Sequence, residues 1–189
     1  MALQYDNKSM NAEKITPIIK GLRVSRKLRD AQKRLTNWDH RLDRDSTAAA
    51  IFDIWEQAMI NLIYLRNVPE SMQDDVSMPG RQKVTEWIAE PNSSIFGNNP
   101  EKIRDQFMIQ SLEIAVDYLT EDFGENMDNW AYGNLHYAEI IHPLSHLVDE
   151  ETQEAINIAP LPRGGGSNTL NANHGNDRQL SGASFRMIV

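Results

Sequence analysis

The chain has 189 residues, enough for one domain with a sizeable buried core, and its 24% charged and 40% hydrophobic residues speak against both wholesale disorder and a membrane class. The net charge of −8 argues against a nucleic-acid backbone as partner, because such binders gather Lys and Arg on one face. Zero cysteines exclude a disulfide framework and a thiolate metal site, and no stretch approaches the roughly 18 unbroken apolar residues that span a bilayer.

Residues 8–22 place Met10, Ile15, Ile18, Ile19 and Leu22 at helical spacing, predicting a helix entered through Ser9 or Asn11 that stops near Gly21. Pro17 must then lie in its first turns or break it. Residues 25–37 form a short basic amphipathic helix, and residues 23–34 a solvated basic face that Asp39, Asp43 and Asp45 can neutralise. Asp45 or Ser46 caps the strongest helix, where Ala49, Ile51, Phe52, Trp55, Ala58, Met59, Leu62 and Ile63 recur at three- and four-residue steps. Its apolar face is wide, so most of its circumference should be buried, with Trp38 and Trp55 in the core.

From residue 67 to 97, Pro and Gly punctuate the chain and leave residues 81–89 as the one short helix. Asn99-Pro100-Glu101 is a coherent helix start, with an Asn cap, Pro at the first position and an acid in the first turn. The apolar repeat from Ile103 to Leu119 continues that helix to a stop at Gly124. Beyond Trp130 the pattern changes to strands and loops: a strand over 135–141 ended by Pro143, a loop over 160–166, a strand candidate at 169–172, and an apolar strand over 183–189. A domain seldom ends inside a hydrophobic strand, so that last one is expected to be cut, leaving an edge that could pair two copies into a dimer.

The candidate chemistry is thin. His136, His142 and His146 lie within eleven residues, but on a strand the first two would be about 20 Å apart, and Pro143 keeps the others out of a common helix face. They read as hydrogen-bonded structural histidines rather than metal ligands, and His174, in a Gly/Asn-rich loop, reads the same way. Arg163-Gly164-Gly165-Gly166-Ser167-Asn168-Thr169 lacks the Lys-Ser/Thr ending and following helix of a phosphate cradle; its glycines point to a backbone that turns sharply and passes close to another segment. No G-x-S-x-G elbow supports a Ser-His-Asp hydrolase, and Ser184 reads as structural.

Four blocks in order carry a family resemblance. Leu3, Gln4, Asp6, Ser9 and Ala12 match an M-x-x-L-Q-x-D-x-x-S-x-x-A helix entry, and Leu35, Trp38, Asp39, Asp45, Ser46, Ala48, Ala49, Phe52 and Trp55 an L-x-x-W-D … D-S-x-A-A-x-I-F-x-x-W segment. Trp130, Gly133 and His136 with His142-Pro143-Leu144 match W-x-x-G-x-x-H … H-P-L. Gly165, Asn168, Thr169, Asn171 and Ala172, then Gly182, Ser184, Arg186 and Ile188, match the closing strands. Together these resemble the middle and late part of the β chain of the penicillin acylase (penicillin amidase) family, hydrolases of the N-terminal nucleophile class.

The resemblance implies an α+β fold: a mostly helical segment with a few C-terminal strands, mainly helical over 1–130 and strands and loops over 131–189, belonging to an αββα sandwich. It also implies hydrolysis of a linear N-acyl amide bond, in a penicillin or cephalosporin, an acyl-homoserine lactone or an acyl peptide. In that mechanism an N-terminal Ser attacks, its own α-amino group acts as base, and an Asn side chain helps hold the oxyanion. Nucleophile, oxyanion Asn and the carboxylates of the family's calcium site are all expected to precede Met1. No residue of this chain therefore receives a catalytic, cofactor or metal role. Its implied partners are the rest of the β chain, the α chain of the same precursor and a small amide substrate, in the periplasm or outside the cell, with any secretion signal upstream. The alternative reading is a stand-alone helical module holding a peptide or apolar ligand in a groove of Trp55, Met59, Trp87 and Phe107.

Overall fold

The computed structural model describes residues 5–174, 178, 181 and 182. Among them the fold is mostly helical α+β, as the sequence pattern and the resemblance both imply. Helix α1 (Met10–Lys20) is capped by the Ser9 side chain, which accepts from Ala12 N, and Gly21 follows it. Pro17 lies well inside this helix without breaking it, contrary to the sequence expectation. Burial of Ile15 and Ile19 holds the turn together, and Thr16 Oγ1 donates to Ala12 O at 2.9 Å. The end of α1 is closed from its neighbour α2 (Arg29–Thr36), where Gln32 Nε2 donates to Ile19 O at 2.6 Å and to Leu22 O at 2.8 Å. This amide bonds the carbonyls at and just beyond the helix end.

Helix α3 (Thr47–Asn67) is the axis of the core. Ser46 rather than Asp45 caps it, accepting from Ala49 N. Helix α6 (Pro100–Phe123) packs along it, with Met108, Leu112, Ala115, Val116 and Leu119 inward. Trp55 is wholly buried between the two, and its Nε1 donates to Met108 O at 3.0 Å and to Ser111 Oγ at 2.9 Å. Trp38 is only half-buried; it leans on Phe52, ring centres 5.5 Å apart, and its Nε1 donates to Arg41 O at 3.0 Å. Helix α4 (Arg81–Ala89) packs on α1 and α3, and a single turn, α5 (Ser93–Phe96), drops Phe96 into the core. Asn99 precedes α6 as expected but makes no side-chain cap bond; it adopts a left-handed backbone, φ 61°. The basic face of residues 23–34 is neutralised elsewhere than expected: Lys27 pairs with Asp117, and Arg34 with Asp30 and Asp128.

After Trp130, a short helix α7 (Tyr132–Leu135) precedes strand β1 (Tyr137–Ile140), which is shorter than the expected 135–141. A second unforeseen helix, α8 (Glu150–Ile156), is capped by Asp149 accepting from Thr152 N at 2.8 Å. The region read as a loop from residue 160 begins instead within strand β2 (Ile158–Pro162), antiparallel to β1 with Tyr137 opposite Pro162 and Ala138 opposite Leu161. Two prolines in five residues suit an edge strand, where missing donors go unmissed. Residues 169–171 are a bend, not a strand; pairing moves on to β3 (Asn173–His174) with β4 (Ser181–Gly182). The expected strand at 183–189, with Ser184, lies outside the described residues.

Candidate functional site

On α3, Asp53, Gln57 and Asn61 stand at four-residue steps and therefore on one face. Ile54 and Ala58 lie beside them, and Ile114 and Tyr118 of α6, also four apart, form the opposite wall. Tyr132, Leu135 and His136, at and just after α7, and Gly166 and Ser167 close one end. Arg81, the first residue of α4, reaches in from the side. Together they line a cleft of about 440 Å³, within the usual range for small-molecule sites.

An ion cluster adjoins it through Asp53 and Arg81. Arg81 Nη1 donates to Glu56 Oε2 at 2.6 Å and to Asp53 Oδ1 at 3.1 Å, and Asn11 Nδ2 donates to Glu56 Oε1 at 2.8 Å. Helices α1, α3 and α4 are thus tied through one carboxylate whose side chain is 4% exposed. Burial pushes the Glu56 carboxyl above its ordinary pKa, with Arg81 and Asn11 pulling the other way. Burial works against the Arg81 charge too, yet Asp53 and Glu56 outweigh it and the guanidinium stays charged. Burial, with Asp53 next, raises the Tyr132 phenol, so it remains a donor and bonds Gly165 O at 2.9 Å.

The residues that the sequence raised for chemistry are not assembled by the fold. His136 is buried against the Tyr132 ring, centres 5.5 Å apart. His142 and His146 are exposed, and His142 Nδ1 accepts from Leu144 N at 3.2 Å within its own turn. His174 belongs to β3. Among the described residues there is no group of three or more His, Cys, Asp or Glu side chains that could hold a metal ion.

The glycine loop is a close-packed crossing. A Cβ on Gly164 would stand 2.7 Å from Leu42 O. Gly165 N donates to Leu42 O at 2.8 Å, and Thr169 Oγ1 accepts from Gly166 N at 3.0 Å. Gly133 works the same way, its N donating to Arg44 O at 2.6 Å, while a Cβ there would meet Pro162 Cβ at 2.6 Å. The groove of Trp55, Met59, Trp87 and Phe107 does not form, since Trp55 and Met59 are fully buried and Trp87 lines a separate surface hollow beside Lys14. The cleft that does form was missed by the sequence reading. The signal for it was the polar step Asp53, Gln57, Asn61 interrupting an otherwise apolar helix.

The architecture is that of a helical scaffold with a small sheet, holding a mixed polar and apolar cleft. Its sequence matches the family model for penicillin amidase over residues 1–189. The chain belongs to the penicillin amidase family, and an acylase-like hydrolase is the activity that membership suggests. No curated protein matches it. No described helix is long and apolar enough to cross a membrane.

Proposed function

We propose that this chain is the scaffold part of the β chain of a penicillin acylase-like amidohydrolase, one that cleaves N-acyl amide bonds in a β-lactam, an acyl-homoserine lactone or an acyl peptide. The observation that carries the reading is the family match along all 189 residues. Beside it, the polar side chains named above are occupied in structural bonds: Trp55 with Ser111, Tyr132 with Gly165, Glu56 with Arg81 and Asn11. Scaffold here means two things. Helices α3 and α6 provide a rigid packed body, and the crossing of residues 164–166 over residues 42–44 sets where the strands leave it.

In this reading the N-terminal Ser that attacks the carbonyl, the amino group that takes its proton and the oxyanion donors come from the remainder of the β chain, with the α chain completing the enzyme. Catalytic residues are assigned to none of the 189 positions. The site of action is the periplasm or the extracellular space. The test is an assay of the purified chain, and of the chain combined with the remaining parts of its precursor, on a chromogenic N-acyl amide. Turnover only in the combined protein, lost when the N-terminal Ser becomes Ala, is the expected result. Turnover by the 189-residue chain alone would overturn the assignment.

A further inference from the structure

Neutralisation of the basic segment stops at one edge. Lys27 meets Glu113 and Asp117 of α6, and Arg34 meets Asp30 and Asp128. Lys20, Arg23, Arg26, Arg29 and Lys33 are exposed, and none of them is in an ion pair among the described residues. Helix geometry puts them on one side. Leu28, Ala31 and Leu35 are buried against the body, so Arg26, Arg29 and Lys33, at steps of three and four along the 3-10 turn Arg26–Leu28 and α2, share the opposite, outward side. Gln32 is a surface neighbour of Arg29 and bonds Ile19 O and Leu22 O. The end of α1, with Lys20 and Arg23, therefore extends the same cationic side. In a chain of net charge −8 the excess acid lies elsewhere, as at α8, where Asp149, Glu150, Glu151 and Glu154 are all exposed.

We propose that this face docks the chain on an anionic bilayer surface, whose lipid phosphates the five cations meet. The outward side of a helix is convex, and it presents its cations to a plane of charges rather than enclosing one small anion. Among the described residues no large exposed apolar side chain falls between residues 11 and 64. Nothing on this face therefore inserts into the hydrocarbon, and the attachment is electrostatic and reversible. Each Lys or Arg near an anionic surface strengthens binding roughly fivefold, while the field of distant acids is screened within about 8 Å at physiological ionic strength. Charge alone sets the docking, so it holds whatever amide the parent enzyme cleaves.

Co-sedimentation of the 189-residue chain with vesicles tests this, using phosphatidylcholine alone and phosphatidylcholine mixed with phosphatidylglycerol. Binding to the anionic vesicles only, weakened at least about tenfold between about 0.05 and 0.3 M salt, is expected. Arg26→Gln, Arg29→Gln and Lys33→Gln should each weaken it roughly fivefold, and the three together should bring it down to the level of the neutral vesicles. Gln is as good a helix former at these exposed positions, so the fold survives, which unchanged far-UV circular dichroism checks. Lys102→Gln, at an exposed cation about 22 Å along α6 from Asp117, should leave binding unchanged. Equal binding to neutral vesicles, no binding to anionic vesicles at low salt, an unmoved triple variant, or a loss in Lys102→Gln as large as in Lys33→Gln would each overturn the proposal. Duplex DNA or polyglutamate binding more tightly than the vesicles, at equal concentration of anionic groups, would overturn it as well and assign the face to that partner.

Discussion

The body of α1 to α6 and the hairpin of β1 and β2 treat the same kind of side chain in opposite ways. In the first, Ile15, Ile19, Ile51, Ile63 and Ile88 are at or near zero exposure; in the second, Ile140 is 55% exposed, Ile158 47% and Leu161 50%. Leu144 and Leu147, in the connection between the strands, are more than half exposed as well. The helical body closes because helices that are apolar on wide faces, α3 above all, can surround one another. A two-stranded hairpin has no second layer of its own to close against, and such pairs are marginal alone. What keeps the hairpin in place is a handful of backbone bonds at its root. Gly133 N to Arg44 O at 2.6 Å, Arg163 N to His136 O at 2.9 Å and Gly165 N to Leu42 O at 2.8 Å belong to that set.

The contrast is broken most directly in the helical body. Trp55→Ala removes a fully buried indole together with the one N–H that Met108 O and Ser111 Oγ share, and should cost about 3–5 kcal/mol in urea unfolding. A loss below about 1 kcal/mol would mean that α3 and α6 do not close on this residue. Arg81→Met should also be severe, about 3–5 kcal/mol, because it leaves the buried Glu56 without its cation.

The same cluster predicts a pH dependence. A carboxyl raised above its unfolded pKa binds its proton more tightly when folded, so the Glu56 contribution is fully present below the unfolded pKa and is lost as pH rises through the folded one. The stability of the chain relative to Glu56→Gln should therefore fall as pH climbs out of the ordinary glutamate range. A difference that grows with pH would show that Arg81 and Asn11 outweigh burial.

At the root of the hairpin, Gly133→Ala forces a methyl against Pro162 Cβ and the Arg44 backbone. It should cost about 1–3 kcal/mol and should speed hydrogen exchange in residues 137–162 more than in α3. Equal effects in both regions would show that they unfold as one unit. The smallest effect belongs to the hairpin surface. Ile140→Thr and Leu161→Thr should each change stability by no more than about 0.5 kcal/mol. A clearly larger loss would show that this face is covered in solution.

Much of the helical body was legible because helix signals are local. Ser9 and Ser46 cap, Gly21 and Gly124 stop, and the apolar steps of α3 and α6 name the residues that pack. The boundaries of α4 could be read for the same reason. Asp149 followed by two acids was an equally local signal for α8, and the sequence reading placed no helix there. The order of the motif blocks also sufficed to point to the amidase family, since those blocks are built of residues that caps, turns and core packing require.

Tertiary structure alone decided the rest. Pro17 stays inside a helix because Ile15 and Ile19 are buried on the body, which outweighs one lost backbone bond. Residues 158–162 become a strand because β1 lies beside them, and partners 18 to 25 residues away leave no mark on local pattern. The cluster of Asn11, Asp53, Glu56 and Arg81 draws on three helices, and the cleft beside it on four helices and a loop. Chain propensity acts over a few residues, whereas the sign of the charge in a cleft depends on which distant side chains the fold brings within a few ångströms of one another.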